Sequence, residues 1–185
     1  MKFNAKYLIP VSIVLITIGF TQRGKLTRAG ENLIDKAAQV GSEQSQSVTI
    51  VKVSDGDTVK LSDKRSIRLC GIDAPETKQP GGKEAREFLE ALVQKSKGSA
   101  YLVQTDTDRY GRTVGEIFIS DSLGREINLN SEMLISGNAY FYRQYSKCPN
   151  RDRFELAEEI AKKSSAGVWA SSGYELPSDY RKRTK

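Results

Sequence analysis

Between Val48 and Ile119 turn residues cut the chain into short β-rich runs, and this punctuation restricts the fold more than any other feature. Val48 to Val53 is rich in β-branched residues and leads into Asp55-Gly56, a turn pair. Thr58 to Leu61 follows as a second strand. Ser62 to Arg65 reads as a hairpin connection into a third, Ser66 to Cys70. Tyr101 to Gln104 and Thr113 to Ile119 make two more. One helix is inserted after Pro75 and the Pro80-Gly81-Gly82 cluster. There Ala85, Phe88, Leu89, Leu92 and Val93 recur with a 3.6-residue period. A short helix over Leu129 to Ser136 stops at Gly137, and Ala139 to Tyr142 is extended and aromatic. The last helix is expected from Asp152 to Ser165, capped by Asn150 or Asp152 and ended by Gly167. Phe154, Ala157, Ile160 and Ala161 would face inward. Five short strands with helices between and after them predict an α+β fold around a small closed β-barrel. The pattern alone leaves an OB barrel and other small α+β folds open.

Composition narrows the chemistry. The 185-residue chain carries a formal charge of +6, which biases it toward polyanions. It has no histidine, so a histidine-based triad and a four-ligand Cys/His zinc site are both excluded. Its two cysteines, Cys70 and Cys148, allow one disulfide in an oxidising compartment.

Lys2 and Lys6 precede an apolar run, Tyr7 to Phe20. That is shorter than the ~20 residues of a membrane-spanning helix and has the form of a secretory leader. The expected organisation is a signal peptide or signal anchor over 1–21, a polar linker over 22–47 and a folded domain over 48–170. A basic, solvated C-terminal tail over 171–185 completes it. Export follows as the expectation, either secreted, periplasmic or membrane-anchored through residues 7–20, with the folded domain outside the cytoplasm. A monomer is expected.

Three segments carry the chemistry: Asp55-Gly56-Asp57-Thr58, Arg68 to Glu76, and Asp108-Arg109-Tyr110-Gly111-Arg112. Asp57 lies just past a glycine turn and Asp73 just past a strand, so neighbouring strands would bring both carboxylates to one hard cation. The Ala74 carbonyl is a natural third oxygen ligand, because Pro75 keeps residue 74 extended. Asp55 would support the site from behind. Glu76 is placed to orient and deprotonate a water without a histidine. Arg68 and Arg112 offer guanidinium forks for phosphate oxygens and for the charge of a pentavalent transition state. Tyr140, Tyr142 and Tyr145 beside Arg143 interleave aromatic rings with a cation, which suits base stacking.

With these residues in view, the chain from about Val48 to Trp169 resembles the staphylococcal nuclease (thermonuclease) family. The resemblance is carried by Asp55-Gly56-Asp57-Thr58-Val59, Ile67-Arg68-Leu69, Asp73-Ala74-Pro75-Glu76-Thr77, Asp108-Arg109-Tyr110-Gly111-Arg112 and Gly167-Val168-Trp169. It implies a five-stranded OB-fold β-barrel with three packed helices, and a Ca²⁺-dependent endonuclease acting on DNA and RNA that leaves 3′-phosphate and 5′-hydroxyl ends. Position by position, Asp57 and Asp73 resemble the carboxylate ligands of Ca²⁺, with Ala74 giving its carbonyl. Arg68 and Arg112 resemble the phosphate-binding arginines and Glu76 the general base. Arg109, Tyr110, Tyr140 and Tyr142 resemble the groups lining the nucleotide pocket. Arg109 stands where lysine is common, and the loop from Thr77 to Lys83 is shorter than in the best-known member. An inactive relative that binds nucleic acid through the same barrel is the alternative.

Overall fold

Strand β1, Ser45–Asp55, is long enough to serve two neighbours. Its first half, Ser45 to Thr49, pairs antiparallel with β5, Ser99–Thr107. From Ile50 onward it pairs with β2, Thr58–Leu61, the register slipping between Ile50 and Lys52. That slip changes which parity faces inward. Val48 and Ile50 are buried, then Val53, while Val51 stays exposed. The structure is a computed structural model and describes residues 45–145, 147–170, 173 and 175–184. The apolar run 7–20 and nearly all of the linker 22–47 lie outside the described residues. The strand nevertheless begins at Ser45, three residues before the expected domain start.

The main sheet runs β3-β2-β1-β5-β6-β7. Strand β3 is Ser66–Leu69, β6 is Thr113–Ser120 and β7 is Glu126–Asn128. A further parallel pairing joins β3 to β6, Arg68 opposite Val114, so the run from β3 to β6 returns on itself. Two residues just past β3, Ile72–Asp73, form β4. They pair with β8, Tyr140–Phe141, in a second small sheet that sets Tyr140 opposite Asp73.

Helix α1, Gly82–Gln94, buries Ala85, Leu89, Leu92 and Val93, the stripe its sequence predicts. Helix α2, Leu129–Ile135, is capped by the Asn128 side chain, which accepts from the Ser131 N–H. Helix α3 spans Arg151–Lys163. The fold is thus α+β as expected. Three helices were expected, however, and a fourth, α4 over Pro177–Arg183, lies in the segment read as a solvated tail. Its start has a physical basis. Pro177 is buried at the first helical turn, Asp179 is in that turn, and Arg181, Lys182 and Arg183 occupy the last, matching charges to the helix ends.

Cys70 and Cys148 are joined in a disulfide with Cα atoms 5.9 Å apart. It ties the exit of β3 to the approach to α3. Buried Asn130 reinforces the same exit: its Nδ2 donates to the Cys70 carbonyl at 2.8 Å, and its Oδ1 accepts from the Ile117 N–H at 3.1 Å.

Candidate active site

Gly56 lets the β1–β2 turn close onto the helix layer. A Cβ there would lie 2.6 Å from that of Ala74 and 2.8 Å from that of Ala85. The turn is fixed by Asp55, whose Oδ1 accepts from the Asp57 N–H. Asp57 is thereby buried, accepting from the Thr58 hydroxyl at 3.0 Å and from the Ala74 N–H at 2.9 Å. Arg68, held on β3 between β2 and β6, spans two carboxylates. Its Nη1 lies 2.8 Å from Asp57 Oδ2 and its Nη2 lies 3.2 Å from Asp73 Oδ1. Burial pushes the Asp57 carboxyl up to about 7, against the pull of Arg68 and the Ala74 N–H. The neighbouring charges of Asp55 and Asp73 add to the rise. Asp57 and Asp73 thus lie close together, bridged by the Arg68 guanidinium.

Glu76 begins a tight loop. Its N–H donates to Gln79 Oε1 and its carbonyl accepts from the Gln79 N–H. Gly82 completes the fit, since a Cβ there would meet the Glu76 carbonyl oxygen at 1.9 Å. The Glu76 carboxylate is partly exposed and accepts from Arg181 Nη1 at 2.8 Å.

Arg112 leaves the β5–β6 turn. Asp108 shapes that turn by accepting from the Tyr110 and Arg112 N–H groups at 2.9 Å and from Arg112 Nε at 2.7 Å. Burial raises the Asp108 carboxyl, but these donors outweigh it and hold the group below the usual carboxylate range. Tyr110 is exposed, with the Arg109 guanidinium 4.9 Å and the Arg112 guanidinium 5.7 Å from its ring centre.

These groups meet in a cleft of about 620 Å³. Asp55, Asp57, Arg68, Ala74, Glu76, Arg109, Tyr110, Arg112 and Tyr142 all line it. Asp73 joins through its bonds to Arg68. Tyr140 does not line the cleft. It is buried, with its ring packed edge-on against Trp169 at 5.0 Å. Phe141 is buried as well, its ring edge-on to Phe154 of α3 at 6.1 Å.

Sequence reasoning missed Arg181. Its Nη1 donates to Asp73 Oδ1 at 3.0 Å and to Glu76 Oε1 at 2.8 Å, and its Nη2 donates to Asp73 Oδ2 at 2.9 Å. Burial opposes its charge, but the two carboxylates hold its proton more tightly than usual. The signal that could have found it is the helix start at Pro177-Ser178-Asp179 ahead of three basic residues. Among the described residues no three acidic, cysteine or histidine side chains converge as a ready-made metal cage. Guanidinium groups bridge the carboxylates instead.

The family model described as "Staphylococcal nuclease homologue" matches residues 66–171. The chain is 31% identical over 176 residues to the probable staphylococcal-like nuclease CAN3 of Oryza sativa subsp. japonica, covering 94% of this chain and 42% of that protein. It is 42% identical over 127 residues to the staphylococcal-like nuclease CAN1 of Arabidopsis thaliana, covering 68% and 36%. An uncharacterized endonuclease of Haemophilus influenzae is 32% identical over 148 residues, 78% of each chain. The chain thus spans about two fifths of the plant relatives, but most of the bacterial one. With the matched segment running from β3 through α3 to the turn at Trp169, the chain belongs to the staphylococcal nuclease family.

Proposed function

We propose that this chain is a Ca²⁺-dependent, sugar-nonspecific endonuclease that hydrolyses phosphodiester bonds of DNA and RNA, leaving 3′-phosphate and 5′-hydroxyl ends. The observation that carries this reading is the convergence of Asp57, Asp73 and Glu76 with Arg68 and Arg112 at one cleft. The strand run that returns on itself supports an OB-type barrel as the scaffold.

The residues fit a hard divalent cation. All donors are oxygens, two of the carboxylates are buried, and positive guanidinium groups already bridge them. Asp57, Asp73 and the Ala74 carbonyl would hold the ion, with Asp55 fixing the turn behind Asp57. When bound, the ion supplies electrostatic polarisation of the phosphoryl group. Glu76 takes the proton of the attacking water. The water oxygen bonds to phosphorus as the bond to the 5′ oxygen breaks, and that oxygen leaves with the electron pair and takes a proton from solvent. Arg68 and Arg112 donate to the non-bridging oxygens, whose charge grows in the transition state. Tyr110, flanked by two guanidinium groups, offers a ring face to a base.

The disulfide supports a site of action outside the reducing cytoplasm, consistent with an exporting role for residues 7–20. Digestion of plasmid DNA and of RNA, with Ca²⁺ and with chelator, tests the activity. Glu76→Gln is expected to lower kcat by about 10²–10⁴-fold, as loss of a general base does. Arg68→Ala is expected to lower it by about 10²–10³-fold. Full activity in the double variant would overturn the assignment.

A further inference from the structure

Both carboxylate oxygens of Asp73 are engaged. Oδ1 accepts from Arg68 and Arg181, and Oδ2 accepts from Arg181. The same Arg181 Nη1 also holds Glu76 Oε1. One side chain from the last helix therefore occupies the proposed cation ligand and the proposed base together. Arg181 takes up both Asp73 oxygens, and its charge repels a divalent ion on the same carboxylate, so the two compete for Asp73. The same guanidinium also occupies Glu76 Oε1, an oxygen that would receive the proton of an attacking water.

The placement is built, not incidental to a stray side chain. Pro177 is buried, and Ser178 and Lys182 line the cleft beside Arg181. The segment before α4 is tied to the catalytic loop, because Gln79 Nε2 donates to the Glu175 carbonyl while Gln79 Oε1 accepts from the Glu76 N–H. Arg183 pairs with the Glu175 carboxylate at 2.8 Å. These ties keep the effective concentration of Arg181 at the carboxylates high.

We infer that α4 is an autoinhibitory gate: Arg181 closes the metal-binding carboxylates and the base in the resting enzyme, and divalent cation binding displaces it. The inference rests on the nuclease reading of this cleft. The helix carries few buried contacts besides Pro177, and Arg181 is about a third exposed, which suits a segment that opens locally. Displacement also frees the cleft-lining face of the helix, where Lys182 would meet the substrate backbone.

The test is Ca²⁺ binding by titration calorimetry on the full chain, wild type against Arg181→Ala and Arg181→Lys, with hydrogen exchange over residues 177–184. Arg181→Ala should bind Ca²⁺ on the order of tenfold more tightly, within the usual range of such couplings. Arg181→Lys should fall between, because lysine keeps the charge without the fork. By reciprocity, Ca²⁺ should speed amide exchange in 177–184 of the wild type. Nuclease activity of Arg181→Ala should exceed wild type at low Ca²⁺ and converge with it at saturation. Equal Ca²⁺ affinity in the three proteins, with intact Ca²⁺-dependent cleavage, overturns the gate and leaves the nuclease reading standing. Weaker binding or lower activity in Arg181→Ala also overturns the gate, making Arg181 a positioning residue. No Ca²⁺ binding by any of them overturns the metal reading and the gate with it.

Discussion

Asp108–Arg112 and Asp121–Arg125 fold into the same turn. In each, the leading aspartate accepts from two later N–H groups and from the arginine Nε at 2.7 Å, and the fourth residue is a glycine with positive φ. The Arg112–Asp108 pair is therefore a property of the turn itself. Because Nε is taken by Asp108, the proposed phosphate contacts of Arg112 would fall to its two Nη groups. Only the first turn opens onto the cleft, so the identical device at Arg125 serves structure. Gly56 works the opposite way, through lack of space. Gly56→Ala is expected to destabilise the protein by about 1–3 kcal/mol through overpacking against Ala74 and Ala85, read from a shift in urea midpoint. It should also weaken Ca²⁺ binding, because Asp57 follows directly. Residues whose partners lie within a few positions, such as Asp108 and Arg112, were legible in the sequence. Arg181 was not, because its partners Asp73 and Glu76 are 108 and 105 positions away.

At the scale of elements, α3 shows where periodicity misleads. Ile160 was expected inward, but it is exposed and Glu158 is buried. Phe154, Ala157, Glu158 and Ala161 form the inner face. Glu158 is drawn in because the Phe141 N–H of β8 needs an acceptor and donates to it at 2.9 Å. Arg143 and Lys162 also pair with it, at 2.9 Å and 2.8 Å. Burial raises the Glu158 carboxyl, but Lys162, the Phe141 N–H and Arg143 outweigh it and hold it below the usual range. A carboxyl lowered by folding stabilises the protein above its unfolded value, and that contribution is lost as pH falls through the folded value. Glu158→Gln should therefore cost about 1–3 kcal/mol at pH 7, and the difference from wild type should shrink once the pH drops below about 4.5. Denaturation curves at several pH values measure it. Asn150, a good cap by type, makes no capping bond at the start of α3. Its side chain donates to buried Glu116 at 2.6 Å, an acceptor that only the fold supplies.

Across the whole molecule, the disulfide closes a loop of 78 residues between β3 and α3. In the chain-entropy picture that loop contributes about 4.5 kcal/mol. Reduction, or Cys70→Ser with Cys148→Ser, should lower unfolding stability by up to about that amount, measured by denaturant titration with and without reductant. Cys70 lines the cleft, so loosening should reach Tyr142, whose N–H donates to the carbonyl of neighbouring Gly71 at 2.8 Å. The sequence by itself determined the centres of β1, β2, β3, β5 and β6 (five of the eight described strands), the α1 stripe, the family and the five charged residues at the cleft. All of these depend on local pattern, on side-chain type and on motifs whose internal spacing is short. Tertiary structure alone decided the pairing of β3 with β6, the β4–β8 sheet, the inward turn of Glu158 and the docking of α4 onto the carboxylates. Each of those joins groups far apart along the chain, where unmet hydrogen-bonding capacity and charge, not local preference, choose the partner.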